Sequence, residues 1–218
     1  IIHDGLIRMY EKQEDIFYYI TLENENYIQP PMPENVEAGI IKGMYLLKSG
    51  ENGKLKVQLL ASGSMVNEVI EASKLLQSDW GIDSDIWSVT SFSELHREAE
   101  DKKRWNTLHP DKKDEQSYVG ASLNSKNGPV IAVSDYVKLV AEQIAPYIDC
   151  SFVALGTDGF GRSETRTELR TFFEVNRYYI VMTAMESLRN LNLVKQSDVK
   201  KVITAYNLDP EKPNPIKV

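Results

Sequence analysis

The sequence predicts an α/β fold in which a mostly parallel β-sheet is covered by helices on both faces, giving three αβα layers. The main observation is a regular alternation of apolar runs and amphipathic segments after residue 54. Four strand–helix units follow one another, with strands predicted at 55–61, 85–89, 129–133 and 152–155. The second observation is a glycine-rich turn, Gly156–Ser163, between the last strand and the next helix, a connection typical of parallel α/β domains.

The amino-acid composition indicates a folded globular protein and argues against several kinds of partner. The chain has 218 residues, of which 42% are hydrophobic and 26% charged, as is usual for a folded globular protein. Its net charge of -7 opposes the phosphates of nucleic acids, so we predict no nucleic-acid partner. No apolar run approaches the length of a membrane span, so we predict no membrane partner. The single cysteine, Cys150, excludes an internal disulfide framework and fits a reducing, cytoplasmic location.

Apolar residues at helical spacing predict the remaining elements. Helices are expected at 1–12, 34–47, 66–80, 91–105, 136–147, 166–174, 178–191 and 197–207. A β-branched and aromatic run, 16–22, predicts a buried strand, and 106–127 is predicted to be a long polar loop. The predicted N-caps of three of the helices are Asp135, Ser163 and the pair Ser197–Asp198.

A polar, glycine-containing stretch divides the chain. Residues 48–54 are the predicted linker, and residues 55–218 carry enough strand–helix units for a complete domain. Residues 1–47 hold one helix, one strand and another helix, which cannot close a sheet. We therefore expect residues 1–47 to be the tail of a preceding α/β domain, and the start at Ile1 without a methionine suggests a piece of a longer polypeptide.

Two strand-to-helix turns are candidate anion sites, because backbone N–H groups at a helix N-terminus attract negative charge. The residues of these two turns are Ser62, Gly63, Ser64, Gly159, Gly161, Arg162 and Ser163. Neither turn matches a dinucleotide fingerprint or a phosphate-binding P-loop. Tight turns with satisfied caps are the simpler interpretation of both.

A polar cluster follows the predicted strand 16–22. It consists of Asn24, Glu25, Asn26 and Tyr27, directly after Glu23. Because α/β proteins build their sites at the carboxyl ends of strands, these four residues are candidates for the border of an active cleft. The composition of an ordinary solvated loop accounts for them equally well.

Metal binding has little support in the sequence. Asp135 and Asp158 each follow a predicted strand, and paired carboxylates at that edge can hold Mg²⁺. No third acid or lysine accompanies them in a matching order, and Asp135 also suits an N-cap. His3, His96 and His109 lie on separate predicted elements without the i+3 or i+4 spacing of a zinc site. We predict no metal ligand in this chain.

Six strings together carry a resemblance to one enzyme family. They are IHDGLIRMY (2–10), YYITLENENY (18–27), VQLLASGS (57–64), SVTSF (88–92), RWN (104–106) and LGTDGFGRS (155–163). They resemble the homodimeric, bacterial type of pyruvate dehydrogenase, the thiamine-diphosphate-dependent first component of its complex. The resemblance extends over essentially the whole chain, and the last string is its most specific part.

The resemblance implies a fold and a function. Residues 55–218 would be the transketolase-like C-terminal domain, and residues 1–47 the last part of the domain that binds the cofactor's aminopyrimidine. The family decarboxylates pyruvate on thiamine diphosphate with Mg²⁺ and passes the acetyl unit to a lipoyl group, towards acetyl-CoA. Its implied partners are a second copy of the same subunit and the dihydrolipoyl acetyltransferase core.

The departures from the family's pattern limit what this chain can do. The motif that holds Mg²⁺ and diphosphate, and the glutamate that activates the aminopyrimidine, are absent from this sequence. We therefore assign no catalytic and no cofactor-binding residue, expect no bound cofactor, and expect an inert, structural piece that supports dimer assembly. The alternative is a non-catalytic interaction or anion-binding regulatory module of a related transketolase-like enzyme.

Overall fold

The computed structural model describes residues 1–51 and 53–218, and within them the chain forms one β-sheet. Its strands are β1 (Met44–Lys48), β2 (Lys56–Ala61), β3 (Asp83–Val89), β4 (Val130–Val133) and β5 (Phe152–Leu155). Their order across the sheet is β1-β3-β2-β4-β5. The last four strands in the chain pair in parallel, and β1 joins β3 antiparallel at one edge. The predicted mostly parallel sheet is therefore confirmed.

Helices cover both faces of this sheet. They are α1 (Ile2–Leu6), α2 (Glu37–Lys42), α3 (Met65–Trp80), α4 (Phe92–Leu108), α5 (Tyr118–Leu123), α6 (Lys138–Glu142), α7 (Arg166–Phe172), α8 (Arg177–Asn190) and α9 (Gln196–Ala205). A π-helical turn, Ile7–Glu11, continues α1, and 3₁₀ turns lie at Ala145–Tyr147 and Pro215–Lys217. Within residues 1–51 and 53–218, no helix combines the length and apolarity that crossing a membrane requires.

The core lies in two layers, one on each face of the sheet. Residues of α3, α8 and α9 form the first cluster, and residues of α4, α5 and α6 form the second. Consecutive residues of a strand divide between the layers, because side chains alternate across a sheet. Leu59 of β2 belongs to the first cluster and Leu60 to the second, and both are fully buried. The three αβα layers predicted from the sequence are confirmed.

The stretch between β1 and β2 is tied to the sheet by a buried carboxylate. Asp85 accepts a hydrogen bond of 2.9 Å from the Gly50 N–H and pairs with the Lys56 ammonium at 2.7 Å. Asn52, inside the predicted linker 48–54, lies outside the described residues.

The helix predicted to run through Leu47 is wrong in its second half. α2 ends at Lys42, and Gly43 follows with a φ of +107°, which glycine adopts without steric cost. Thr90 then donates its N–H to the Gly43 carbonyl at 2.8 Å, and the chain continues as β1. Because β1 belongs to the same sheet as β2, we propose that the domain boundary precedes Met44.

The predicted buried strand at 16–22 is also wrong. The segment pairs with no strand among the described residues, and the exposed fractions of Phe17, Tyr19 and Leu22 are 87%, 87% and 89%. A β-branched and aromatic composition favours a strand, but only hydrogen bonds to a neighbouring strand hold one.

The predicted polar loop 106–127 contains a helix. α4 extends to Leu108, and α5 begins after Ser117, whose hydroxyl accepts a hydrogen bond from the Gly120 N–H at 3.2 Å. The buried side chains of Val119 and Leu123 hold α5 on the second core layer, which the polar composition of the stretch conceals.

Three predicted helix starts are corrected. α7 is capped by Thr165, which accepts from the Glu168 N–H, and not by Ser163. α6 begins at Lys138, so Asp135 lies outside it. α9 has Lys195 at its N-cap, and the Asp198 side chain bonds back to the Lys195 N–H at 3.3 Å, as in a capping box.

Candidate functional site at the carboxyl edge of the sheet

Polar groups at the carboxyl ends of β2, β4 and β5 are joined to one another. The Ser62 hydroxyl lies 3.3 Å from the Ser134 hydroxyl, and the Thr157 hydroxyl donates to the Asp135 carbonyl at 2.8 Å. These bonds link the three strand-to-helix turns that follow β2, β4 and β5. The first predicted anion turn, residues 62–64, lies at this edge.

The predicted cleft-border cluster lies over the same edge. Arg166, the first residue of α7, pairs through Nη1 with the Glu23 carboxylate at 3.2 Å and also contacts Glu25 and Asn24. Its guanidinium lies 5.8 Å from the centre of the Tyr27 ring. Asn26 lines the adjoining cleft of about 1510 Å³ between residues 1–30 and the strand ends.

Glu23 connects this cluster to the first turn. Its Oε1 lies 3.5 Å from the position that a Cβ on Gly63 would take. The structure therefore brings the predicted cluster and the predicted Ser62–Ser64 turn together, and it puts the protein's own carboxylate beside that turn.

A buried carboxylate fastens α7 and α8 to α3. Glu68 accepts from Nη1 of Arg170 and from the N–H, Nε and Nη2 of Arg177, each at 3.0 Å. Arg170 also donates to the Ser64 hydroxyl at 3.2 Å. Burial opposes ionisation of Glu68, but its bonds to Arg177 and the charge of Arg170 outweigh burial and lower the pKa of Glu68.

The pKa of Asp135 is shifted in the opposite direction to that of Glu68. Burial and the facing carboxylate of Glu23 raise the pKa of Asp135, and the charge of Arg170 offsets this only in part. The Asp135 residue is still exposed to solvent at the edge of the cleft. We therefore expect its raised pKa to have only a small effect on the free energy of unfolding.

Replacing Asp135 with asparagine should therefore stabilise the protein at neutral pH. A carboxyl whose pKa is raised on folding favours the folded state most at low pH and loses this contribution as pH rises. At pH 7 we expect the melting temperature to rise by about 1–3 °C, and at about pH 3, where the acid is neutral, we expect no difference. The exposed Asp111→Asn is the control, and a lower melting temperature for Asp135→Asn at pH 7 would contradict this electrostatic assignment.

A smaller cavity of about 270 Å³ lies between α7 and the strand ends. Arg162, Arg166 and Arg170 line it together with Asp135. Arg166 forms ion pairs with Glu23 and Glu25, and Arg170 forms one with Glu68. The positive charges of these two arginines are therefore already neutralised by carboxylates of the protein. Anion binding at the Ser62–Ser64 turn stays a prediction, and these neighbouring carboxylates oppose it.

The second predicted turn serves mainly as a corner of the fold. Gly159 has a φ of +112° and approaches the chain end, because an added Cβ would stand 2.6 Å from the Pro215 carbonyl oxygen. Arg162 lies over the Phe172 ring at 5.1 Å. Gly161 and Ser163 are exposed, and α7 beyond them has seven residues. Anion binding by this turn also stays a prediction.

The residues do not fit a magnesium site. Asp158 accepts from the Lys138 N–H at 3.2 Å, so its carboxylate caps the start of α6. Among residues 1–51 and 53–218, no group of three or more His, Cys, Asp or Glu side chains is arranged to hold a metal ion. No step involving Mg²⁺ or thiamine diphosphate can be assigned to these residues.

Sequence reasoning missed the residues that organise the site. Arg166 and Glu68 each bind partners more than a hundred residues away in the chain. One local signal was available, because Arg166 and Arg170 are spaced by four residues and so share one face of a helix. That spacing indicates a basic face but does not say what the face binds.

The fold and this edge define a three-layer α/β domain with polar groups at the carboxyl ends of its strands. A sequence profile for the Transketolase-like TK C-terminal domain matches residues 43–176, and the chain belongs to this family. The match begins next to β1, in agreement with the place of that strand in the sheet.

Two curated relatives that match nearly the whole chain are both pyruvate dehydrogenase E1 components. The chain is 50% identical over 220 residues to the pyruvate dehydrogenase E1 component of Cupriavidus necator, covering 100% of this chain and 25% of the relative. It is 51% identical over 218 residues to that of Pseudomonas aeruginosa, covering 99% of this chain and 25% of the relative. The resemblance to pyruvate dehydrogenase is therefore confirmed, and the chain spans about a quarter of the length of these curated relatives.

Solved transketolases resemble the chain more distantly. The transketolase from Leishmania mexicana is 21% identical, with a TM-score of 0.47 over 70% of this chain and 19% of that chain.

Proposed function

We propose that this chain is the C-terminal part of a thiamine-diphosphate-dependent pyruvate dehydrogenase of the homodimeric type. The whole enzyme would decarboxylate pyruvate with Mg²⁺ and thiamine diphosphate and transfer the acetyl unit to the lipoyl group of a dihydrolipoyl acetyltransferase core. The observation that carries the proposal is identity of about one half along the whole chain to two pyruvate dehydrogenase E1 components. That function and the single cysteine support a cytoplasmic location.

Within that enzyme, the chain would have a structural role. The buried Glu68 ion cluster joins helices, Asp158 caps α6, and the described residues hold no metal cluster. These contacts hold helices of the domain in place, and they support a role in maintaining the fold. In this proposal, the residues that carry out decarboxylation and acetyl transfer belong to other parts of the whole enzyme.

Two exposed apolar surfaces support an assembly role. The segment 16–22 presents Phe17 and Tyr19 to solvent, and it pairs with no strand among the described residues. In α6 and in the turn that follows β5, Leu139 and Phe160 are 68% and 78% exposed. Exposed apolar groups of this size favour burial against another protein surface. The first surface suits the rest of a preceding α/β domain, and the second suits a partner copy.

An assay of pyruvate decarboxylation tests the structural role. The purified chain, supplied with thiamine diphosphate and Mg²⁺, should release no carbon dioxide above the buffer background. The Pseudomonas aeruginosa relative under the same conditions is the positive control. Turnover by the chain alone would contradict the proposal that the chemistry lies elsewhere.

A further inference from the structure

The segment 17–35 is attached to the rest of the protein by side chains. None of its residues makes a backbone–backbone hydrogen bond with any described residue. Near one end, the Tyr18 hydroxyl bonds with Arg8 and Asp4, both at 3.1 Å. At the carboxyl edge of the sheet, the contacts of the segment converge on Arg166.

Arg166 can act as a fixed anchor because α7 is itself held in place. One turn further along the helix, Arg170 bonds to the buried Glu68 and to the Ser64 hydroxyl. Residues at i and i+4 share one helix face, so Arg166 projects from the same anchored side. Its planar guanidinium matches two carboxylates and an amide oxygen, a geometry that a lysine ammonium does not reproduce.

The charges of the segment require such a cation. Glu23 and Glu25 are both brought to an edge that already carries the carboxylate of Asp135. Without Arg166, three carboxylates would face one another across the cleft, which costs free energy in a partly desolvated place. With Arg166, the Tyr27 ring also lies within cation–π distance of the guanidinium.

We propose that Arg166 is a positioning residue that fastens residues 23–27 to the carboxyl edge of the sheet and so fixes one wall of the 1510 Å³ cleft. That this wall belongs to an active cleft rests on the proposed function. The attachment itself is a property of this chain and can be measured without any activity.

Cleavage by chymotrypsin under native conditions tests the attachment. Tyr27 lies under Arg166, whereas Tyr19 is 87% exposed in the same segment and serves as an internal control. For Arg166→Gln we expect cleavage after Tyr27 to become about fivefold to tenfold faster, while cleavage after Tyr19 stays within about twofold. For Arg166→Lys we expect an intermediate rate of cleavage after Tyr27, because lysine keeps the positive charge but lacks the planar guanidinium that bonds to several oxygens at once.

Matched variants separate attachment from folding. Arg162→Gln removes a neighbouring guanidinium that lies over Phe172, and it should leave both cleavage rates unchanged. The melting temperature of each variant shows that the sheet is intact. Equal cleavage after Tyr27 in the wild type and Arg166→Gln would overturn the proposal, and so would equal acceleration at Tyr27 and Tyr19. Neither result depends on whether the chain serves a pyruvate dehydrogenase, so failure here is distinguishable from failure of the proposed function.

Discussion

Replacing Glu68 with glutamine should lower the free energy of unfolding by about 2–4 kcal/mol. The carboxylate is buried and accepts four hydrogen bonds, one from Arg170 and three from Arg177. Removing one partner of a buried ion pair costs about 3–5 kcal/mol, because the other charge is left uncompensated. We expect a smaller loss here because Arg177 is partly exposed and can reach water. Urea unfolding of both proteins measures the difference.

The pH dependence gives a second test of the same cluster. The pKa of Glu68 is lowered on folding, so its contribution is present above the pKa of the unfolded chain and is lost as pH falls through the folded value. The difference between wild type and Glu68→Gln should therefore shrink below about pH 4. Glu71→Gln is the control, because Glu71 is on the same helix, is more exposed and lies 3.8 Å from Arg177. Equal losses in the two variants would contradict the role of Glu68.

Replacing Gly156 with alanine should lower the melting temperature by about 5–10 °C. An added Cβ would stand 2.6 Å from both the Lys138 nitrogen and the Tyr136 carbonyl oxygen, which are backbone atoms that cannot rotate away. Forcing such a contact into a packed site typically costs about 1–3 kcal/mol.

Gly161 in the same turn is the matched control for Gly156. Apart from Gly161 itself and its two chain neighbours, no atom of the described residues lies within 4 Å of the position that its Cβ would take, and its φ lies outside the left-handed region. Gly161→Ala should therefore leave the melting temperature unchanged. A similar loss in both variants would mean that the turn is strained as a whole and not at Gly156.

The parallel sheet could be predicted because its signal is local. The strands β2 to β5 are short apolar runs followed by helices, and both neighbours Leu59 and Leu60 are buried, as a two-sided sheet demands. The antiparallel β1 could not be predicted in this way. Apolar residues at helical spacing continue past Lys42, and only pairing with β3 decides that Met44–Lys48 is a strand.

The candidate site was predicted in separate pieces. The polar residues 24–27 and the turn at 62–64 could be named from their positions after apolar runs, but the contacts that residues 23–25 make with α7 could not. Arg166 reaches Asn24, which lies 142 residues earlier in the chain. Long-range ion pairs leave no periodic pattern, so sequence reasoning could not place Arg166 or Glu68.

A hybrid enzyme tests the central claim most directly. The matching residues of the Pseudomonas aeruginosa pyruvate dehydrogenase E1 component, 51% identical over 218 residues, would be replaced by this chain. Sedimentation and melting temperature would show first that the hybrid is folded and assembled like its parent. We then expect pyruvate-dependent acetyl transfer comparable to that of the parent. A folded, assembled hybrid that lacks this activity would contradict the assignment of the chain to a pyruvate dehydrogenase.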